Sequence, residues 1–338
     1  MYIKPAAHHF LEHQEELRIM SRRVAKKNNL PAFVVAVKAV FNCLFYGTIY
    51  TEYEALDFIH RKGSNKKTYV TVIWLLQTLR KYNPLDKRSV FHDKREFNNR
   101  FEKYVGRSTI DLSETADSEL FEFLQDKDFV VLKKADGCSG KQVEIYTVNE
   151  DVNKSVDYIR HHDYNMVESY IQNCDEIKAF NPTSLNTLRI VTIHSNNVFN
   201  VVCACLRIGA KGLDVDNVSR GGAAASIDIN TGRINSVFVT NAYREIEGSQ
   251  GGRNEIGFQI PYWTETLDML RNASRLVPDI HIVGWDVAIT PNGPVIIEGN
   301  ESFHTDVMQF YYGPTEPGVK ARFVDCLGMI DEDMQKNN

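Results

Sequence analysis

Six cysteines in 338 residues are few, and their spacing excludes more than their number. Cys43, Cys138, Cys174, Cys203, Cys205 and Cys326 form no CxxC pair, and none stands near a histidine at zinc-finger spacing. Cys203 and Cys205 alternate within an apolar strand and read as small core residues. A reduced, cytoplasmic setting is expected. Met1 to Phe10 has no apolar signal-peptide core. The most apolar stretch, FVVAVKAVFNCLFYG from Phe33 to Gly47, is interrupted by Lys38 and Asn42 and falls short of the roughly 20 residues a bilayer span needs. Basic charge is not in excess either: the formal net charge is −5, so no overall field favours nucleic acid. GxSxG, HExxH and GxxxxGK[ST] are all absent, which removes the motif-borne serine hydrolases, zinc proteases and P-loop enzymes.

What is present is an ordinary globular composition, 43% hydrophobic and 25% charged, with enough length for two or three packed subdomains. The chain to about Asn83 reads as mostly helical. HHFLEHQEELRIMSRRVAKKNN has helical periodicity, and Pro31 opens a second helix in which Phe33, Val34, Val37, Val40, Phe41, Leu44 and Phe45 form one apolar, core-facing stripe. A helix lying in a membrane interface is the alternative. Thr51 with Glu54 makes a capping-box pattern for a third helix, and KKTYVTVIWLLQTLRKYN is a fourth candidate. The basic runs Arg22 to Lys27 and Lys87 to Arg100 read as solvated helix faces. After Pro84 the texture changes. Asp93 to Val105 and SELFEFLQD are amphipathic helices, DFVVLKKADGCSGKQVEIYTV reads strand, glycine loop, strand, and YNMVESYI is a strand. Strands then dominate, with hairpin turns at Ser195-Asn196-Asn197, Asn230-Thr231-Gly232 and Pro291-Asn292-Gly293.

The third hairpin carries the chemistry. Pro294 to Ile297 is an apolar run that leads into Glu298-Gly299-Asn300. Residues two apart on a strand share a face, so Glu298 and Asn300 lie together, and the turn brings Asp286 beside Glu298. Two carboxylates and an amide oxygen suit Mg²⁺, which keeps waters and phosphate oxygens as its other ligands. Without a metal the carboxylates would repel; two acids at a solvated sheet edge are the plainer alternative. Phosphate contacts are expected at VVLKKADGCSGKQV, where Gly137 and Gly140 let backbone N–H groups approach closely and Lys133 or Lys134 supplies a charge. Strand alternation lets only one of these lysines point inward, and Lys133 continues the strand most directly.

These segments, in this order, resemble the ATP-grasp superfamily, and within it the sugar-transfer-associated ATP-grasp proteins. HDK holds Lys94 ahead of a helix, VVLKKADGCSGKQV the nucleotide lysine and loop, and MVESYI a hinge strand. SLNTLRIVT is similar to the subgroup's NTLR signature. CLRIGAKGLDVDNVSRGG is similar to the Arg-to-Asn-to-Gly-Gly segment of amino-acid ligases, and GWDVAITPNGPVIIEGN to the metal hairpin. Together they cover about Phe91 to Asp306. The implied fold is α+β, an ATP-grasp fold of two lobes clamping ATP. Residues 1–90 would form a helical N-terminal region, 91–172 the small lobe with its glycine-rich loop, and 173–338 the large lobe with the metal-binding hairpin. The helical start departs from the strand-rich subdomain that precedes the fold in the better-known ligases.

The resemblance also implies roles. Lys94 and Lys133 would contact ATP phosphates or the adenine edge, and Gly137, Ser139, Gly140 and Lys141 would close over the phosphates. Glu168, Ser169, Tyr170 and Ile171 would meet adenine, and Glu176, with Asp175 as rival, the ribose. Asp286, Glu298 and Asn300 would hold Mg²⁺, and Arg189 and Arg207 would face the γ-phosphate, a salt bridge being the alternative for each. Asn186 and His304 are further candidates, His304 equally as a structural histidine. The implied activity is ATP- and Mg²⁺-dependent joining of a carboxylate, on a small molecule or glycan, to an amine or other nucleophile through an acyl-phosphate. Polysaccharide or cell-envelope biosynthesis is the implied setting. A phosphotransferase on the same fold and a non-catalytic partner of glycosyltransferases are the alternatives. Leu213 to Ser226 is expected to shape the acceptor site. Asn241 to Pro261 reads as a mobile substrate-facing segment or a surface loop.

Overall fold

The computed structural model describes residues 2, 10, 12–134, 143–209, 222–240, 255–305, 308–309, 312 and 315–336. Gly137, Ser139, Gly140 and Lys141, residues 213–221 of the expected acceptor loop and residues 241–254 of the glycine-rich segment lie outside the described residues.

The first part is helical: α1 (Gln14–Asn28), α2 (Ala32–Tyr46), α3 (Tyr50–Ala55), α4 (Gly63–Lys66) and α5 (Val72–Tyr82). Asn29 in the left-handed region closes α1, and Pro31 starts α2. The capping of α3 differs from the expected Thr51–Glu54 pair. The cap lies two residues earlier, at Ile49, whose N–H donates to Glu52 at 3.2 Å, and Glu54 pairs with Arg23 instead. Glu52 is buried and also accepts the Val72 N–H that opens α5, so one carboxylate caps two helices. The β-branched lead-in to α5 stays outside that helix. On α2 the buried residues are Val35, Ala39, Asn42 and Cys43, whereas Phe33, Val37, Phe41 and Phe45 are exposed. The expected core stripe therefore faces outward. A helix apolar on nearly every side gives no polarity contrast, and its neighbours decide which face is covered.

Next come α6 (Lys94–Arg100), α7 (Glu102–Val105), α8 (Asp117–Leu124), α9 (Val152–His161) and α10 (Asp175–Lys178). The single helix expected over Asp93 to Val105 is broken at Phe101 and closed by Gly106 at φ +58°. A four-stranded antiparallel sheet has the order β1 (Thr109–Asp111), β4 (Met166–Ser169), β2 (Phe129–Lys133), β3 (Val143–Thr147). Leu120, Leu124, Val156 and Ile159 of α8 and α9 cover one face of it, against Val130, Leu132 and Val167. On the other face Phe129, Val131 and Lys133 are only partly covered.

The larger sheet runs β11 (Gly293–Asn300), β10 (Ile282–Thr290), β5 (Thr187–His194), β6 (Phe199–Ile208), β7 (Ala223–Asp228), β8 (Arg233–Ile234), with β9 (Val239–Thr240) paired to β7. The hairpins expected at Ser195-Asn196-Asn197, Asn230-Thr231-Gly232 and Pro291-Asn292-Gly293 are all formed. Alternation along β5 and β10 splits the side chains. Leu188, Ile190, Trp285 and Val287 pack with Phe97, Phe101 and α11 (Trp263–Ser274) on one face. Trp285 is fully buried and satisfies its indole N–H on the Thr192 hydroxyl at 2.9 Å. On the opposite face Val191 and Ile193 pack with α5 and α12 (Lys320–Lys336), while Cys205, Ala224 and Val239 pack with Tyr50, Tyr53 and Tyr69 of the helical region. Arg189 and Asp286 belong to this second face by the same alternation. Both therefore lie on the sheet face that the helical region covers. No single helix among the described residues is long and apolar enough to cross a membrane.

Candidate active site

Strand register assembles the first cluster. Asp286 lies opposite Glu298 on one side and Arg189 on the other, Gly284 lies opposite Asn300, and Arg189 lies opposite Cys205. Arg207, two residues on from Cys205, reaches the same face. Arg189 grips Asp286 with two bonds, Nε to Oδ1 at 2.5 Å and Nη2 to Oδ2 at 2.9 Å, and Arg207 Nη2 stands 3.0 Å from Oδ2. Thr187 accepts from Arg207 at 2.6 Å and holds its guanidinium in place. Asp286 is buried, which pushes its carboxyl up, but Arg189 and Arg207 outweigh that and hold it below the ordinary range. Glu298 responds the other way. Desolvation of its carboxyl and the negative charge of Asp286 raise its pKa, although the residue as a whole is exposed. Asn300 Nδ2 donates to Glu298 Oε1 at 3.2 Å, which leaves the amide oxygen turned away from that bond.

A second cluster forms on the partly covered face of the small sheet. Glu168 is 1% exposed and accepts Asn98 Nδ2 at 2.9 Å and Lys133 Nζ at 2.5 Å, and it pairs with Arg107 Nε at 2.9 Å. Burial alone would raise its pKa; Arg107 and Lys133 overcome this and bring it down to about 2. Lys133 turns to Glu168, and Lys134 turns outward to Asp163. Lys94 opens α6 beside its Asp93 cap and donates to the Lys134 carbonyl at 2.9 Å, so two amines converge where β2 ends. Ser169 is bonded to Ser108, Tyr170 is exposed and packs on Phe129, and Ile171 is buried. Glu176 lies in the exposed first turn of α10 beside Cys174.

Arg107 joins the two clusters, and nothing in the motif reading pointed to it. Its Nη1 donates to the Ile296 carbonyl at 2.9 Å, its Nη2 to the Ile297 carbonyl at 2.9 Å and to Asn98 Oδ1 at 2.8 Å. One guanidinium therefore ties Glu168 on the small sheet to the backbone immediately before Glu298 on the large one. The approach is close because residue 106 is glycine: a Cβ there would meet Val295 Cγ1 at 2.3 Å. The Gly106-Arg107 pair was the available signal, but one arginine after one glycine has no specificity by itself. Beyond Asn300, Glu301 is buried between Arg88 (3.5 Å) and His92 (2.9 Å), a second grouping that the sequence did not announce.

Two expected residues stand apart from the clusters. Asn186 spends its side chain locally: Nδ2 donates to the Ile177 and Asn181 carbonyls at 3.0 and 2.9 Å, and Oδ1 accepts from the Ser184 hydroxyl. It shapes the turn entering β5 rather than facing Asp286. His304 is exposed, past the end of β11. Among the described residues no group of three or more His, Cys, Asp or Glu could hold a metal; the hairpin offers two carboxylates and an amide.

The order of these parts along the chain matches one family model, sugar-transfer associated ATP-grasp, over residues 77–321. The chain belongs to the sugar-transfer associated ATP-grasp family. Its α+β, ATP-grasp architecture with a helical N-terminal region is the one the sequence resemblance implied. Solved structures similar to this family member include the D-alanine–D-alanine ligase from Coxiella burnetii (12% identity, 63% of this chain and 48% of that one, TM-score 0.38). The ATP-grasp ligase PsnB complexed with minimal precursor, Mg and ADP is another (11% identity, 71% and 61%, TM-score 0.41). A third is the carboxyaminoimidazole ribonucleotide synthase from Aspergillus clavatus complexed with ATP (8% identity, 69% and 51%, TM-score 0.42). The chain spans about half to three fifths of the length of these proteins. No functionally curated protein matches it.

Proposed function

We propose that this ATP-grasp protein is an ATP- and Mg²⁺-dependent ligase that joins a carboxylate to an amine, or to another nucleophile, through an acyl-phosphate, releasing ADP and phosphate. The observation that carries the reading is the Asp286–Glu298 pair flanked by Arg189 and Arg207 and tied through Arg107 to the Lys133–Glu168 cluster.

In this reading residues 91–172 are the small lobe and 173–338 the large lobe, and ATP lies between their sheets. The half-covered face of Phe129, Val131 and Lys133 is a surface for adenine, with Lys133 and Lys94 supplying charge where the phosphates begin. The donor set is of the kind a hard divalent cation takes: two carboxylate groups and an amide oxygen, with the Glu298 pKa raised by desolvation first and then by the charge of Asp286, which such a cation would offset. Glu298 and Asn300 would hold it through their oxygens, and Asp286, whose two oxygens are taken by Arg189 and Arg207, would join them on exchanging one of these partners for the cation. Bound there, Mg²⁺ supplies Lewis-acid neutralisation of phosphate charge. Arg189 and Arg207, held by Asp286 and Thr187 in the free protein, would supply positive charge where the γ-phosphoryl group transfers. A substrate carboxylate oxygen attacks γ-phosphorus in line and the bond to ADP breaks. The amine nitrogen then attacks the acyl carbon, phosphate leaves, and the amine gives up a proton. Positioning and electrostatics carry both steps, so no side-chain nucleophile is required.

The family's description points to carbohydrate transfer, so the carboxylate or its acceptor is taken to be sugar-derived, in polysaccharide or cell-envelope biosynthesis. The test is release of ADP and phosphate from Mg-ATP with pooled sugar acids and amino acids, beside Glu298→Ala. Substrate-dependent release that vanishes in the variant is expected. A stable phosphorylated product without an amide would instead make the protein a phosphotransferase. Nucleotide binding with no turnover from any pool would leave the ligase reading without support.

A further inference from the structure

The helical region carries a charge and a surface that the ligase reading does not use. Residues 1–90 contain fifteen Lys and Arg against seven Asp and Glu, a net +8, in a chain whose total is −5; the rest carries −13. Within this basic region α2 turns a row of large apolar side chains outward at i, i+4 spacing. Phe33 is 71% exposed, Val37 65%, Phe41 49% and Phe45 44%. The rings of Phe41 and Phe45 stack at 4.2 Å, so the row forms one continuous surface. A single exposed hydrophobic is ordinary; four in line on one helix are not. On α1 next to it, Ile19 is 51% exposed.

Basic residues outnumber acidic ones about two to one in this region. Lys26, Lys27, Lys38, Lys62 and Lys67 are exposed, and none makes an ion pair among the described residues. Several of the acids nearby are already engaged. Glu15 pairs with Arg18, Glu54 with Arg23 and Asp57 with His60, and Glu52 is buried as a helix cap. Lys38 stands close enough to Lys66 for its charge to add to the desolvation that lowers the Lys66 pKa. An apolar stripe with phenylalanine, on a helix that also carries exposed Lys38 and in a region of net +8, has the complement of an anionic lipid interface: rings at the level of the acyl boundary and ammonium groups among the headgroups. Fifteen helical residues reach about 22 Å, short of the roughly 30 Å hydrocarbon core, so the geometry is that of a helix lying in the surface.

We propose that the outward face of α2, with the exposed lysines of α1 and α2, docks the protein on membrane surfaces rich in anionic lipid. The purified full chain is sedimented with vesicles of phosphatidylcholine alone and of phosphatidylcholine mixed with phosphatidylglycerol. Binding to the mixed vesicles only, weakened by salt, is expected. Phe33→Ser with Phe41→Ser lowers partitioning by about tenfold or more, and Lys26→Glu with Lys38→Glu does so to a similar degree. All four positions are exposed, and unchanged circular dichroism and thermal unfolding would show that the variants fold. The proposal is overturned by absence of binding to either vesicle, by equal binding to both, or by binding that these variants leave intact. A dimer in light scattering that Phe41→Ser dissociates, without vesicle binding, would give the face to a second copy and overturn it equally.

Discussion

Replacing Arg107 by methionine tests whether one guanidinium couples the two clusters. Arg107 and Glu168 have side chains 4% and 2% exposed and stand 2.9 Å apart. Methionine keeps most of the stem and removes the fork, leaving Glu168 with Lys133 and Asn98, and the Ile296 and Ile297 carbonyls without their donor. Breaking a buried pair from one side costs about 3–5 kcal/mol, and unfolding by urea, followed by tryptophan fluorescence, should register a loss of that size. The pH dependence gives an independent readout. Glu168 has a folded-state pKa of about 2 against 4.5 for the free group. A depressed carboxyl contributes stability that is complete above pH 4.5 and is lost as pH falls toward 2, roughly 3 kcal/mol in all. Without Arg107 that acid-side slope should flatten. In a double-mutant cycle with Glu168→Gln the two losses should fall short of additivity by more than about 1 kcal/mol, and Arg107→Lys should be intermediate because an ammonium cannot serve both strands at once. A loss below about 1 kcal/mol for Arg107→Met, or strict additivity with Glu168→Gln, would refute the coupling.

Other outcomes follow from the same geometry. His194 is buried, and desolvation lowers its pKa from 6.5 to about 4. The unfolded chain therefore takes up a proton that the folded chain refuses, and stability falls by roughly 3 kcal/mol between pH 6.5 and 4. His194→Gln should flatten that window in urea titrations. Gly106→Ala should cost about 2–4 kcal/mol, since φ is +58° and the new methyl group collides with Val295; a neutral result would mean that the Arg107 loop can move freely. Asp286→Asn removes the acceptor charge from two largely buried arginines and should destabilise by about 3 kcal/mol while lowering the Glu298 pKa, measurable by carboxyl NMR.

The third hairpin was readable because strand geometry has a period of two. Once the turn at Pro291 to Gly293 is placed, Asp286 must oppose Glu298, and Asn300 must share its face. The same logic placed Lys133 and Lys134 on opposite sides. The orientation of α2 was not readable, because its apolar residues surround the axis and the buried side was settled by distant packing. Arg107 was hidden for a different reason. It acts on backbone carbonyls of Ile296 and Ile297, which leave no residue-type signature in sequence. Asn186 shows the converse: a family signature drew attention to a residue whose side chain organises a turn.

The most direct test of the central claim is calorimetric titration of ATP into the protein with and without Mg²⁺, for wild type and Glu298→Ala. Mg²⁺ should tighten ATP binding by about tenfold or more in the wild type, and Glu298→Ala should lose this increment while keeping the metal-independent part. ATP binding that is indifferent to Mg²⁺, or equally Mg²⁺-dependent in the variant, would contradict the assignment of the Asp286–Glu298 hairpin as the metal site.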